Sequence, residues 1–88
     1  MSSEISTKAV SSAYKYLVSA LVASGSKVES LSNFRVEEVQ QDGVDGNFKI
    51  TLSYEVASDF PFDKKREYKD FQIDKGGEKV ISMTIRKV

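Results

Sequence analysis

The 88-residue chain contains no cysteine and no histidine. Without cysteine it cannot form a disulfide framework, a zinc thiolate site, an iron–sulfur cluster or a thiol nucleophile. Without histidine it cannot form Ser-His-Asp or Cys-His catalytic arrangements or histidine-based metal sites. Carboxylate, lysine and tyrosine side chains remain for acid–base chemistry, which enzymes most often assign to histidine near neutral pH. We therefore expect a non-enzymatic protein without a metal or a cofactor.

The chain also lacks an excess of charge and a long hydrophobic run. Lys plus Arg and Asp plus Glu each number 13, so the net charge is zero, whereas nucleic acids and anionic lipids attract strongly positive surfaces. Glu4 lies where a signal peptide carries positive charge, and the apolar residues of positions 9–23 are interrupted and too few to span a bilayer. We expect a cytoplasmic protein that does not bind membranes, and nucleic-acid binding is disfavoured.

What the chain does contain fits one α+β domain spanning residues 1–88. Hydrophobic residues make up 40% and charged residues 30% of the sequence, which is typical of a globular domain. From Phe48 to Val56 every second residue is apolar, and every residue between is polar. Successive side chains of a strand point to opposite faces, so this segment predicts a half-buried strand of an antiparallel sheet.

The remaining pattern predicts one helix followed by four strands. Apolar residues recur at spacings of three and four over residues 4–24, and Gly25 is suited to ending that helix. The first strand is expected within residues 27–41, the second over 48–56, the third over 67–74 and the fourth over 80–86. Turn residues at 42–47 and 75–78 join neighbouring strands. The predicted fold is therefore one N-terminal helix packed on a four-stranded antiparallel meander.

The same pattern assigns a core, with two departures from strict alternation. Val39 is one position out of phase, so either a bulge near Glu37-Glu38 restores the phase or Val39 faces the other side. Tyr68 is also out of phase, which suggests a second bulge. The predicted core residues are Ile5, Ala9, Ala13, Leu17, Leu21, Phe34, Val36, Phe48, Ile50, Leu52, Tyr54, Val56, Phe71, Ile73, Ile81, Met83 and Ile85.

One helix on a four-stranded meander resembles the cystatin-like architecture. The stretch from Tyr68 to Met83, an aromatic strand ending in Asp74, then Gly76-Gly77 and a short apolar strand, resembles the hairpin of PepSY-type and related small bacterial domains. The PepSY resemblance implies a role in regulating peptidases. Cystatin inhibitors place a Gln-x-Val-x-Gly hairpin in the protease cleft, whereas Gln41 to Gly46 has another spacing and two acids at its tip. We therefore expect no inhibition of papain-like proteases.

Two segments are candidate partner-binding sites. Phe60 and Phe62 flank a proline in a loop, where they either anchor a partner or close one end of the core. Lys64, Lys65 and Arg66, with Lys69 nearby, form the concentrated basic patch of the chain. It either binds phosphate or an acidic partner, or it is a solvated strand entry or a charged edge strand that resists aggregation.

The acidic and polar residues favour structural roles. Glu37 and Glu38 are expected on opposite faces of a strand, so they would not act as a carboxylate pair, and residues 42–45 lack the ligand set of a calcium loop. The face away from the helix is expected to carry few aromatics, which single-stranded RNA platforms require. It should display Arg35, Lys49, Thr51, Ser53, Glu55, Gln72, Ser82, Thr84 and Arg86.

These features favour a small non-enzymatic binding, adaptor or regulatory protein with a protein partner or a second copy of itself. One alternative is a ligand-binding protein or small enzyme with a pocket between helix and sheet, whose polar group would be Tyr54, Tyr68 or a buried carboxylate. Another is a weak nucleic-acid binder that uses the basic patch, with affinity falling steeply as salt rises.

Overall fold

A computed structural model describes residues 3–57 and 64–86 and confirms the expected α+β fold. The elements are α1 (Ser3–Ala23), a 3-10 turn (Val28–Ser30), β1 (Leu31–Gln41), β2 (Phe48–Ala57), β3 (Lys64–Ile73) and β4 (Val80–Arg86). The strands form one sheet in the order β1-β2-β3-β4, with each neighbouring pair antiparallel. β3 begins earlier than the sequence predicts because Lys64 continues its pairing with β2, opposite Ala57.

The core lies between α1 and the central strands β2 and β3. The alternating apolar residues of β2 face the helix and are almost fully buried from Phe48 to Tyr54. On α1, Ala9, Ala13 and Leu17 have no exposed surface, and the two alanines allow the helix backbone to lie close to the sheet. The buried apolar cluster consists of Ala9, Ala13, Leu17, Phe48, Ile50, Leu52, Tyr54, Phe71 and Ile73.

Gly25 ends α1, as the sequence predicts. Its φ angle of 95° lies in the left-handed region that glycine adopts readily. The Gly25 N–H donates to the carbonyl of Val22 at 3.0 Å, and the Ser26 N–H donates to the carbonyl of Leu21 at 2.9 Å. This is the Schellman arrangement, which satisfies carbonyl groups that the end of a helix leaves without partners.

Two bulges interrupt β1. Val36 pairs with Leu52 while Glu38 pairs with Thr51, which confirms the bulge expected near Glu37-Glu38 and brings Val39 opposite Ile50. The expectation that Glu37 and Glu38 face opposite sides is wrong, because the extra residue of the bulge brings both carboxylates to the sheet face away from α1. A second bulge lies between Ser32 and Arg35, and Asn33 within it has a φ of 53°.

The bulge expected near Tyr68 is absent. β2 and β3 pair without a register shift from Phe48 opposite Ile73 to Ala57 opposite Lys64, and this register places Tyr68 opposite Ser53 on the face away from α1. Tyr68 is out of phase because it belongs to that outer face, where its ring is half-buried. The irregularity of this half of the sheet occurs instead at the start of β4, where Val80 pairs with Ile73 and Ser82 with Gln72.

The helix covers only the middle of the sheet, which corrects the predicted core at its edges. Four predicted core residues are substantially exposed: Ile5 at 36%, Val36 at 51%, Ile81 at 48% and Ile85 at 70%. A helix with its side chains is about 10 Å wide, whereas the outer strands of a four-stranded sheet lie about 14 Å apart. One helix therefore leaves two apolar strips uncovered, the β1 margin (Val36 and Val39) and the β4 margin (Ile81 and Ile85).

The hairpin between β3 and β4 fastens the sheet to α1. Gly77 packs directly against the helix backbone, so that a Cβ atom there would lie 2.9 Å from the carbonyl oxygen of Ile5 and 3.2 Å from the amide nitrogen of Ala9. The Ser12 hydroxyl donates to the carbonyl of Gly77 at 2.7 Å, and Lys8 forms an ion pair with Glu78. The contact requires glycine at 77, because its φ of 75° and the close approach both disfavour a side chain.

Aspartates organise the hairpin turns between β1 and β2 and between β3 and β4. Asp74 accepts hydrogen bonds from the backbone N–H groups of Glu78 and Lys79, each at 2.9 Å. Asp42 accepts from the N–H of Val44 at 2.7 Å. These donors stabilise the ionised carboxylates. Backbone hydrogen bonding, first from Lys79, holds the pKa of Asp74 below the ordinary value of 3.8. Backbone hydrogen bonding, first from Val44, likewise holds the pKa of Asp42 below that value.

We expect the domain to lose stability in acid through these two turns. Because the pKa of each aspartate is lower in the folded chain, the unfolded chain binds more protons as the pH falls. The stabilisation by the two carboxylates is therefore complete above pH 3.8. It is lost as the pH drops through the pKa that each aspartate has in the folded chain. Urea titrations between about pH 6 and about pH 2 should show this fall. The double substitution Asp42→Asn with Asp74→Asn should reduce it, whereas the part due to Glu55, whose pKa is also lowered, should remain. An unchanged acid dependence would contradict this assignment.

Candidate functional site

An apolar groove runs between α1 and the edge strand β1. Its volume is about 290 Å³ and it is open to solvent. The lining is mostly hydrocarbon and aromatic, and it joins the exposed side of the helix to the β1 margin. The lining residues are Thr7, Val10, Ser11, Tyr14, Phe34, Arg35, Val36 and Leu52.

Three aromatic rings in contact fix the shape of this groove. Phe34 stacks on Tyr54 with ring centroids 5.6 Å apart and an angle of 30° between the planes. Tyr14 of α1 meets Phe34 edge-on at 5.1 Å. The innermost ring, that of Tyr54, is fully buried, and its hydroxyl donates to Glu67 at 2.9 Å. Because the inner ring is anchored, the half-exposed Tyr14 and Phe34 form a preformed apolar wall.

The Tyr54 hydroxyl is held in its neutral form. Burial raises the pKa of Tyr54 well above its ordinary value of 10.0, and the hydrogen bond to Glu67 raises it further. A phenol with a raised pKa remains protonated at neutral pH and does not act as a base there. In this structure the Tyr54 hydroxyl acts as a buried hydrogen-bond donor to Glu67.

Arg35 lies beside this groove without bringing its charge into it. It borders the groove between Phe34 and Val36, but it pairs with Ser53, whose hydroxyl belongs to the face of the sheet away from α1. The alternation of the strand therefore places the Arg35 side chain on that outer face, as the sequence predicts. The groove itself is lined by apolar, aromatic and hydroxyl-bearing side chains.

The opposite face of the sheet carries a hydrogen-bonded group that we call the Arg66 cluster (Arg66, Ser53, Glu55, Glu37 and Asn33). Arg66 donates to the Ser53 hydroxyl at 2.8 Å, to the Asn33 carbonyl at 3.1 Å and to Glu55 at 3.1 Å. Ser53 in turn donates to Glu37 at 2.8 Å. The pKa of Glu55 is lowered, first by the side chain of Asn33 and then by Arg66. The cluster links β3 across β2 to the bulged end of β1.

A second polar group, the Asp70 cluster (Asp70, Thr51, Arg86 and Glu38), lies farther along the same face. Asp70 accepts from the Thr51 hydroxyl at 2.5 Å and from Arg86 at 2.9 Å. Arg86 also lies 3.8 Å from Glu38. These side chains line a polar depression of about 310 Å³ together with Lys49, Ser82 and Thr84. Thr51 itself is only 3% exposed, because the cluster covers it.

The structure divides the predicted basic patch between two faces. Lys64 and Arg66 pair with Ala57 and Glu55 and share the outer face, whereas Lys65 and Lys69 pair with Val56 and Leu52 on the helix side. Lys64 and Lys65 are exposed, Lys69 is half-buried, and the Arg66 side chain is only 16% exposed. β3 is an inner strand, so these residues do not protect a sheet edge.

The predicted aromatic anchors Phe60 and Phe62 lie outside the described residues. Their two interpretations, an anchor for a partner and a plug for the core, therefore stay predictions. The described part of the chain brings together no group of three or more carboxylates that could hold a metal ion. None of its helices is long and apolar enough to cross a membrane.

Arg66→Met should destabilise the domain by about 1–3 kcal/mol, because it removes the donor to Ser53 and to the Asn33 carbonyl and leaves Glu55 without its cation. The methionine keeps most of the aliphatic packing, so the loss reports the hydrogen bonds. Lys64→Met is the matched control: Lys64 is an exposed neighbour on the same face and should change stability by less than about 0.5 kcal/mol. Equal effects of the two substitutions in urea denaturation would contradict the structural role of Arg66.

No protein-family model, curated protein or solved structure shows significant similarity to this chain. The resemblances to cystatin-like and PepSY-type proteins therefore stay predictions, and the site is interpreted from its own geometry.

The sequence did not identify Tyr14 and Val36 as surface residues of a groove. Val36 keeps the alternation of an inward-facing residue and was predicted to belong to the core, and Tyr14 lies at the helical spacing that widens the apolar stripe of α1. Arg35 was predicted on the outer face, where its pairing with Ser53 places it. The signal that could have found the groove is geometric: the predicted sheet has four strands and only one helix to cover it, so apolar residues of an edge strand had to remain exposed.

Proposed function

We propose that this protein is a small non-enzymatic binding module that takes an apolar segment of a partner protein into the groove between α1 and β1. The observation that carries the proposal is the combination of a preformed apolar wall with exposed valines beside it. Val36 is 51% and Val39 is 40% exposed. Contiguous exposed apolar surface beside a groove is a feature of protein interaction sites.

The apolar lining of the groove specifies the partner. Val10, Val36 and Leu52 line it together with the rings of Tyr14 and Phe34. A partner segment gains most here by burying large apolar side chains, because their burial removes apolar surface from water. The expected ligand is therefore a protein segment with one or two large apolar side chains.

The polar groups near the groove favour a binding module over an enzyme. Tyr54, one of the polar groups considered for a catalytic pocket, is buried, neutral and already hydrogen-bonded to Glu67. The space between helix and central strands is filled by Leu17, Leu52 and their neighbours. The groove at the margin, about 290 Å³, has the size of one or two side chains and is at the lower limit of the range typical of small-molecule pockets.

Peptides selected from a random display library against the whole protein test this proposal. We expect the selected peptides to be enriched in large apolar residues, and to shift the amide NMR signals of Val10, Tyr14 and Val36. Val36→Asp should reduce their affinity by tenfold or more, because it places an unpaired charge in the apolar groove and removes apolar contact.

Val44→Asp is the control. It is the same substitution at a hairpin position that is 98% exposed and far from the groove, and it should leave the affinity unchanged. Signal shifts confined to the outer face of the sheet, or equal loss of affinity in both variants, would overturn the proposal. A shift of the groove signals by apolar small molecules but by no peptide would favour the ligand-binding alternative.

A further inference from the structure

β4 is a free edge strand with a regular run from Ser82 to Arg86 and a single charged residue, and from it we infer that two copies of this chain pair through β4. The inference concerns the opposite margin from the groove and stands independently of the proposed function. β4 is the last strand of the sheet, and within the described residues nothing pairs with its outer side. Its register with β3 is unbroken from Ser82 to Arg86. The backbone N–H and C=O groups of such an edge are a template for another strand.

Edge strands usually carry charges, prolines or bulges that prevent this pairing. β1, the other edge, follows that rule with two bulges and two glutamates, whereas β4 has one irregularity, between Val80 and Ser82, and is regular beyond it. β4 carries one charged residue, Arg86, and its guanidinium group is drawn back over the sheet to Asp70 at 2.9 Å and towards Glu38 at 3.8 Å. The Asp70 cluster thus removes the charge that would otherwise protect this edge.

The side chains exposed along β4 fit a second copy of the same strand. Antiparallel pairing about a twofold axis at Thr84 would use the whole regular part of the strand, from Ser82 to Arg86. It would place Met83 opposite Ile85 of the second copy, on the helix side of the sheet. Ile85 is 70% exposed in the single chain, and this pairing would cover it. On the outer face Thr84 meets Thr84 of the second copy, and threonine pairs are favourable across antiparallel strands. Two sheets would then join into one eight-stranded sheet.

The absence of cysteine allows a direct test by crosslinking. In an antiparallel pair, opposite Cα atoms lie about 4.5–5.5 Å apart, which is within the range that a disulfide bridges. Thr84→Cys in a glutathione redox buffer should therefore form a covalent dimer roughly tenfold faster or more than Val44→Cys, since pairing raises the effective concentration of the thiols. Val44 is 98% exposed, so random collision alone would not favour the Thr84→Cys variant over this control.

Sedimentation velocity gives the second measurement. The unmodified chain should shift from monomer towards dimer as its concentration rises to about 1 mM, and Ile85→Lys should remain monomeric over the same range. Ile85 is largely exposed, so the variant should keep the circular dichroism spectrum of the original chain. A monomer at every concentration, equal crosslinking of the two cysteine variants, or a dimer that Ile85→Lys does not weaken would each overturn the inference.

Discussion

Gly77→Ala is expected to cause the largest loss of stability of any glycine-to-alanine substitution in the described chain. The left-handed conformation of residue 77 costs alanine about 1–2 kcal/mol. The new Cβ would also lie 2.9 Å from the carbonyl oxygen of Ile5, and relieving such a contact typically costs about 1–3 kcal/mol. The sum, about 2–5 kcal/mol, is a large share of the stability of a small domain. Urea denaturation of the variant measures it.

Gly76→Ala is the matched control for that experiment. Gly76 precedes Gly77 in the same turn, does not have a positive φ, and a Cβ there would meet only the Asp74 carboxylate at 3.6 Å, an ordinary contact. We expect a change of less than about 1 kcal/mol. If the two alanine variants unfold at the same urea concentration, the hairpin does not lie against α1 as described.

Leu52→Ala is expected to destabilise the domain by about 2–5 kcal/mol. Leu52 lies in the second strand of the sheet, is 3% exposed and belongs to the cluster that α1 covers. Removing its side chain leaves a cavity between helix and sheet that the tightly packed Ala9 and Ala13 cannot fill. The free energy of unfolding from denaturant titration is the measurement.

Ile85→Ala in dilute solution is the comparison for Leu52→Ala. Leu52 and Ile85 both fit the inward alternation of their strands, but Ile85 is 70% exposed on the β4 margin. It should lose less than about 1 kcal/mol, because most of its surface is in water in either state. A loss equal to that of Leu52→Ala would mean that the β4 margin is covered within one chain.

The two proposed surfaces lie at opposite edges of the sheet, and this has a consequence for their use. The groove borders β1 and the pairing edge is β4, with β2 and β3 between them. Pairing of two copies through β4 would therefore leave both grooves open, one at each end of the joined sheet. A dimer would present two apolar binding sites to a partner, and avidity would follow for any partner with two copies of the recognised segment.

The regular features of the fold were predictable because each depends on local sequence. The strict alternation from Phe48 to Val56 defines β2, the helical spacing of Ala9, Ala13 and Leu17 defines the buried stripe of α1, and Gly25 marks the end of the helix. Even the bulge near Glu37 could be inferred, since Val39 is displaced by one residue from the alternation of its strand.

What could not be predicted depends on the register and the width of the assembled sheet. Tyr68 belongs to the outer face, and that assignment requires its partner Ser53 to be known. Arg66 is the centre of a three-strand network because the bulge at Asn33 turns a carbonyl towards it, which no spacing in the sequence encodes. Val36 and Ile85 follow the core pattern and are exposed because one helix is narrower than four strands.

The most direct test of the account is the position of α1 over the middle of the sheet, measured by nuclear Overhauser contacts in solution. We predict contacts from the α protons of Gly77 to Ile5 and Ala9, and from the Leu17 methyl groups to the β2 and β3 core, with none from α1 to Val39 or Ile85. Contacts from the helix to either of those two side chains, or a Gly77 with no contact to the helix, would contradict it.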